Sequence, residues 1–105
     1  MLISTTDFIP NADIKEFKGL VKGASIRAKH IGKDILAGFK NLVGGEIKSY
    51  QKLLDEARET AINRMIEEAK KLGANAIICC RISSAQVMQG ASEIIAYGTA
   101  VLISE

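Results

Sequence analysis

The sequence predicts an α+β domain, in which an antiparallel sheet carries one long and one short helix on one face. Three observations predict this class: helical periodicity through 46–72, and strand-like alternation both before and after that segment. Strands at both ends of a chain, with helices between them, are typical of helices packed on one face of an antiparallel sheet. The 105 residues fall in the usual range for one core, so we expect a single domain over 1–105.

The first part of the chain is predicted to form a short strand, a longer strand over 13–22 and a short helix over 31–43. In the helical segment, apolar residues recur at the spacing that gives a helix one buried face. These residues are Ile31, Ile35, Leu36, Phe39, Leu42 and Val43. This helix and the long one are expected to cover the same face of the sheet.

The long helix over 46–72 is the clearest element of the sequence. Its apolar residues repeat at steps of three and four, and oppositely charged pairs at the same spacing lie on the other side. Gly73 follows the last turn, where a glycine accepts the positive φ that ends many helices. We expect Leu54, Ala61 and Met65 to form the seam that packs on the sheet.

Two further strands are predicted after the helix, over 74–87 and 93–103, with a turn at 89–91 between them. Side chains alternate between the two faces of a strand. Uninterrupted alternation places Ala76, Ile78, Cys80 and Ile82 on one face of the first of these strands, and Ile77, Cys79 and Arg81 on the other.

The last strand is apolar on both faces, which is unusual for a small antiparallel sheet because one face normally remains polar. Its two faces carry Ile95, Tyr97, Thr99, Val101 and Ile103 on one side, and Ile94, Ala96, Gly98, Ala100 and Leu102 on the other. Helices can cover one of them. Most oligomers are closed homo-oligomers, so we expect a second copy of the chain to cover the other.

Composition and charge exclude several classes of function. Lys and Arg exceed Asp and Glu by only 14 to 12 and are interspersed with them, and there is no Trp, so we expect no nucleic-acid partner. No apolar stretch approaches the roughly 18 residues that span a bilayer, and the N-terminal residues lack a signal-peptide pattern. Two adjacent cysteines, in place of spaced pairs, favour a reducing compartment. The expected location is therefore the cytoplasm.

Phosphate-binding and catalytic motifs are weak. The pair Gly44 and Gly45 precedes the long helix, where free backbone N–H groups could bind a small anion at the positive end of the helix dipole. The alternative is a turn between two helices that needs glycine for its backbone angles. His30 is the single histidine and has no catalytic signature around it. Carboxylates of the long helix lie on its polar stripe, where charge usually faces water.

Cys79 and Cys80 are the one soft-metal feature of the sequence, since thiolates bind zinc, Cu(I) and heavier soft ions. Adjacent residues of a strand point to opposite faces, so the two sulfurs do not converge on one ion. Packing is the favoured role, because free cysteine is among the most buried residue types. Subunit symmetry is the alternative route, since an oligomer repeats each thiol.

Several segments together form a recognisable pattern. They are Ser4-Thr5-Thr6, Phe17 to Ala24 with Gly19, Val21 and Gly23, Asp34 with Gly38, Gly44-Gly45 with Tyr50, Ala57-Arg58-Glu59 with Ala61, Leu72 to Ala76, and Gly98 to Val101. With them the chain resembles, over nearly its whole length, the YbjQ family of small bacterial and archaeal proteins, which is described as heavy-metal-binding.

The resemblance implies a dodecin-subunit-like α+β fold and a ring-shaped homopentamer. It brings no activity and leaves the cofactor open. Cys79 and Cys80 fall where the family commonly has small or aliphatic residues, so the metal description does not pass to them by analogy. We therefore expect a non-enzymatic oligomeric binding or scaffold protein that could bind a metal or a small ligand.

Two alternative functions remain open. One is an enzyme whose site forms between subunits, where His30, Tyr50 and Arg58 of neighbouring chains could converge. The other is a carrier of a small anionic or aromatic ligand, which the glycine pair and the dodecin-like architecture suggest.

Overall fold

The computed structural model describes residues 1–27, 45–88 and 91–104. Within these residues the chain forms four strands and one helix. The elements are β1 (Leu2–Ile3), β2 (Ile14–Arg27), α1 (Gly45–Lys71), β3 (Ala76–Met88) and β4 (Ala91–Ile103). The α+β class is confirmed. The short helix predicted over 31–43 lies outside the described residues.

The four strands form one sheet in the order β1-β3-β4-β2. The three long strands pair antiparallel, as expected, with β4 between β2 and β3. The sheet as a whole is mixed, because β1 pairs parallel to β3 through Leu2↔Ala76 and Ile3↔Ile77. Residues 4–13 then cross from the β3 side of the sheet to β2 at the opposite edge.

Helix α1 packs on β2 and β4, with little contact to β3. Four residues at steps of four, Ala57, Ala61, Met65 and Ala69, form its fully buried stripe. The predicted seam is therefore confirmed for Ala61 and Met65, whereas Leu54 is only partly buried. Three alanines in the stripe bring the helix backbone close to the sheet.

The end of α1 is fixed by backbone hydrogen bonds around Gly73, as the sequence predicts. Gly73 has a φ of 83° and donates its N–H to the Lys70 carbonyl at 3.0 Å. The next N–H, of Ala74, donates to the Ala69 carbonyl at 3.1 Å. This pair of bonds is the Schellman pattern, which satisfies carbonyls that the last turn leaves free.

Strand β3 contains a bulge that changes which side chains share a face. Ile78 pairs with Thr99 and Arg81 pairs with Tyr97, so Cys79 and Cys80 together lie opposite the single residue Gly98. Such an extra residue shifts the alternation of the strand by one position. The predicted alternation is therefore wrong beyond Ile78.

As a result, Arg81 shares a face with Ile78, and Ile82 shares the helix-covered face with Ile77. Cys79 takes a positive φ of 54°, a conformation uncommon outside glycine. No sequence pattern marks this residue for it.

Two apolar cores lie on opposite faces of the sheet. The helix-side core, between α1 and the sheet, includes Val21, Ile77, Cys80, Ile94 and Ala100 with the buried stripe of α1. The loop-side core lies on the other face, where residues 4–13 cross it, and contains Ile9, Ala76, Ile78, Val101 and Ile103. Beyond this loop, no described residue of the chain covers that second face.

Candidate functional site

The bulge at Cys79 and Cys80 is held by the N-terminal segment. The N–H of Cys79 donates to the Thr6 carbonyl at 2.9 Å, and the N–H of Cys80 donates to the Ser4 carbonyl at 3.0 Å. Two consecutive N–H groups that point toward the same edge of β3 thus find acceptors there. The segment Ser4–Thr6 therefore completes the bulge from outside the sheet.

Arg81 and two hydroxyls fix the shape of this segment. The Nη1 of Arg81 donates to the Thr5 carbonyl at 2.9 Å and to the Cys80 carbonyl at 2.8 Å. The Thr6 N–H donates to Ser4 Oγ at 3.0 Å, the two hydroxyls are in contact, and the Thr6 hydroxyl donates to the Phe8 carbonyl at 2.7 Å. These residues are engaged with one another, which indicates a structural role.

The two thiols lie on opposite sides of the sheet, in agreement with the expected geometry. Cys80 is buried in the helix-side core, whereas Cys79 is partly buried against the loop-side core. Burial raises the pKa of the Cys80 thiol, and the positive charge of Arg81 opposes that shift in part. Cys80 is therefore a protonated thiol at neutral pH, and a soft metal binds the thiolate.

A heavy-metal site needs several ligands that converge on one ion at about 2.0 to 2.3 Å. Cys79 and Cys80 do not converge. Across 1–27, 45–88 and 91–104 no group of three or more His, Cys, Asp or Glu residues is placed to hold a metal ion. The described residues of a single chain thus do not provide the ligands of a heavy-metal centre. His30 lies outside these residues.

The glycine pair is only half described. Gly44 lies outside the described residues, and Gly45 is the first residue of α1. The anion-site hypothesis requires the glycine pair to lie at the start of the long helix, and Gly45 does lie there. The hypothesis itself stays a prediction.

Of the three residues proposed for an enzyme site between subunits, only Arg58 has a described side chain. His30 lies outside the described residues, and nothing is described of the Tyr50 side chain. Arg58 is exposed and pairs with Asp55 one turn earlier, with 2.9 Å between Nη1 and Oδ1. An exposed ion pair of this kind is common on helix surfaces and indicates no chemistry.

A groove that the sequence analysis missed lies beside the C-terminal end of α1. It encloses about 660 Å³ and is lined by Met1, Leu2, Ile9, Pro10, Asn11, Ala12, Lys70, Ala74, Asn75, Ile103 and Ser104. The lining is mostly apolar, and among its described residues Lys70 has the one charged side chain. A volume of this size falls in the range of small-molecule pockets.

One wall of the groove is a turn that the sequence could have revealed. Ala12 donates its N–H to the Ile9 carbonyl at 3.2 Å, and Asn11 has a φ of 62°. Pro at the second position of a turn and Asn at the third are the signature of a type II turn. The dipeptide Pro10-Asn11 could therefore have predicted this turn from the sequence.

The uncovered part of the second sheet face, which we call the open face, carries large apolar side chains. Phe17 is 71% exposed, Leu20 67%, Ile26 57% and Tyr97 39%. Pairing places these residues on one face, with Lys22 and Arg81 on either side of Tyr97. Of the two faces of the last strand, either of which was expected to be covered by a second copy, this is the one that remains open, although Val101 on the same face is buried by its own chain in the loop-side core.

Among the residues that the structure describes, no helix combines the length and the apolar character needed to span a lipid bilayer.

Comparison with protein families gives one match over nearly the whole chain. A YbjQ family model, described as "Putative heavy-metal-binding", matches residues 1–104. A UPF0145 protein of Clostridium perfringens is 57% identical over 105 residues, which is 100% of this chain and 99% of that protein. A UPF0145 protein of Archaeoglobus fulgidus is 54% identical over 101 residues, covering 96% of this chain and 94% of the other.

A similar fold occurs in a solved structure. It is a crystal structure of a DUF74 family protein of unknown function from Pediococcus pentosaceus. The TM-score is 0.65 at 21% identity, and the match covers 99% of this chain and 98% of the other. At that identity the similarity concerns the fold alone.

Proposed function

Because the chain belongs to the YbjQ family, whose relatives carry the UPF0145 name, we propose that it is a non-enzymatic oligomeric binding or scaffold protein. The subunits associate through the open face, and a homopentamer is the expected assembly. Two free cysteines in neighbouring positions favour the cytoplasm as the place of assembly. No nucleic acid or membrane is expected among the partners.

The open face is the observation that carries this proposal. Phe17 and Leu20 each expose about two-thirds or more of their surface, at 71% and 67%. Contiguous exposed apolar side chains on one sheet face usually mark a surface that another molecule covers. Ile95, partly buried beside Tyr97, extends the same surface on β4.

The shape of the chain supports the same proposal. Its radius of gyration is 16.9 Å and its principal extents are 53, 25 and 17 Å. A closed domain of this length has a radius of about 13 Å. An elongated subunit with an apolar face is typical of a chain that completes its packing in an assembly.

The heavy-metal description of the family has no ligand set in the described part of one chain. We therefore assign Cys79 and Cys80 to packing. A metal in this protein would need ligands from several subunits or from residues outside the described ranges.

Light scattering on the purified chain tests the proposal. The wild type is expected to form one defined oligomer at micromolar concentration, and Leu20→Glu is expected to dissociate it because it places a carboxylate on the open face. Asn63→Glu is the matched control, since Asn63 is exposed on α1 and receives the same charge. A wild type that remains monomeric contradicts the proposal.

The groove favours a second candidate function, a carrier of a small amphipathic anion. The apolar part of the lining would hold the ligand body, and Lys70 would pair with its charge. Binding of the fluorescent probe anilinonaphthalene sulfonate tests it, with Lys70→Met as the variant and Lys52→Met as the control on the same helix. Equal probe affinity in both variants would remove the groove as the site.

A further inference from the structure

The outer edge of β3 changes character at Cys80. Up to that residue the edge is paired, first with β1 and then with the segment Ser4–Thr6. Beyond it, from Ile82 to Met88, no described residue lies along the outside of the strand, while β4 pairs along the inside. This segment, 82–88, is the free edge.

The direction of the backbone groups in the free edge follows from the bulge. The N–H of Cys80 points outward to Ser4. Successive residues of an antiparallel strand send their backbone groups alternately to the two sides. Ile82, Ser84 and Gln86 therefore present their N–H and C=O groups outward, over a length of about 13 Å at 3.3 Å per residue.

The other edge of the sheet is protected. The outward N–H of Lys22 in β2 donates to Glu68 Oε1 at 3.3 Å, and Arg64 Nη1 donates to the Ala24 carbonyl. Both partners are side chains of α1, which lies over β2. Two register shifts in β2, near Glu16 and Gly19, further interrupt that edge. Bulges and charged side chains of this kind are how monomeric sheets prevent strand addition.

Among the described residues, the free edge of β3 has only one of these protections, a register shift between Gln86 and Met88 at the far end of the segment, and it runs regularly from Ile82 to Gln86. Its sequence, Ile-Ser-Ser-Ala-Gln-Val-Met, contains no charge, no proline and no glycine. The described side chains of this segment, 82–86, are all exposed, with Ile82 at 48%. Long uncharged edges are rare on isolated domains because they pair with other strands.

We propose that the free edge of β3 is a strand-addition site whose occupant is a second copy of this chain. The inference rests on the proposed self-association and adds the place where backbone hydrogen bonds join the subunits. Ser83 and Ala85 pair with Ile95 and Glu93, so these residues of β3 border the open face. A second copy that covers the open face therefore meets the free edge directly, whereas a charged peptide finds no complementary charge in 82–88.

Ser84→Pro tests the site. Proline removes the outward N–H of this residue and leaves the hydrogen bonds to β4 in place, because edge positions tolerate proline. We expect association to weaken by about tenfold or more, the effect of losing a buried interface hydrogen bond and its geometry. Ser84→Thr is the matched control, since it keeps the N–H, and its assembly should equal that of the wild type.

Amide hydrogen exchange on the wild type provides a readout that does not depend on folding of a variant. In the assembly, the amides of Ile82, Ser84 and Gln86 should exchange slowly, and in the Leu20→Glu variant they should exchange rapidly. If the wild type assembles and Leu20→Glu dissociates it, while these three amides exchange rapidly throughout, the strand-addition site is refuted and the open-face assembly stands. A monomeric wild type refutes both.

Discussion

Gly98 shows how one residue makes the bulge of β3 possible. A Cβ at this position would lie 2.6 Å from Ile77 Cγ2 and 3.0 Å from the Ile78 carbonyl oxygen. Any side chain would overlap with the backbone that leads into Cys79. Glycine is therefore required opposite the bulge because the two strands approach each other closely there. Its backbone conformation is not the reason, since its φ is not positive.

At the same scale, Cys79 and Cys80 are predicted to be packing residues. Replacing both by Ala should leave the oligomer intact, because neither thiol takes part in an ion pair or a disulfide. It should also remove no stoichiometric metal, because the sulfurs lie in different cores. Elemental analysis of wild type and double variant after exposure to soft metal ions provides the measurement.

Retention of one ion per chain or per assembly by the wild type, together with its loss in the double variant, would contradict this prediction. It would place a metal site between subunits, where symmetry can bring together thiols that one chain keeps apart.

Among the elements, α1 depends on small side chains for its position. A Cβ at Gly23 of β2 would overlap the backbone of Ala61 and Met65, so the helix lies directly on this glycine. The alanines of the buried stripe permit the same close approach along the rest of the helix. Helix and strand are therefore matched by size, and a larger or charged residue at their contact has no room to relax.

Ala61→Asp is expected to destabilise the fold severely, because it places an unpaired carboxylate at a fully buried position. Glu59→Ala on the exposed side of α1 is the comparison, and Ala61→Asp should cost about 2 kcal/mol more in the free energy of unfolding, or beyond. Thermal and urea melts of the two variants measure the difference. Similar melting curves would mean that the helix presents another face to the sheet.

For the whole molecule, an assembly that completes the packing of each subunit links stability to concentration. The melting temperature of the wild type should rise with protein concentration, because association stabilises the folded chain by mass action. Leu20→Glu should melt lower and without this dependence. Calorimetry from micromolar to submillimolar protein tests the expectation, and a concentration-independent wild type would indicate that folding does not require the assembly.

The sequence by itself determined the elements whose signals are local. The helix predicted over 46–72 is observed as Gly45–Lys71, and it ends at Gly73 for the predicted reason. The last strand, predicted over 93–103, is observed as Ala91–Ile103. Helical periodicity and a terminating glycine are patterns of residues that are close together in the sequence. They can therefore be recognised without knowing which residues they contact in the fold.

Strand β2 shows where prediction from local sequence patterns stops being correct. It was predicted over 13–22 and extends to Arg27, because Gly23 and Ser25 lack the apolar alternation of a strand and yet pair with Ala96 and Ile94 of β4. Both residues are buried beneath α1, where small side chains are needed. The helix packed on β2 requires these small residues, and because they interrupt the apolar alternation, this part of the strand could not be predicted from the sequence.

Only the tertiary structure decided the features that arise from contacts distant in sequence. The bulge at Cys79 depends on Gly98 and on carbonyls of Ser4 and Thr6. The turn at Pro10-Asn11 carries a loop that buries one end of the second face and leaves the other end open. Arg64 and Glu68 protect β2, whereas no described residue of α1 is hydrogen-bonded to 82–88 of β3, and both follow from where α1 lies on the sheet. Periodicity cannot report such contacts, because each one joins residues that no local pattern connects.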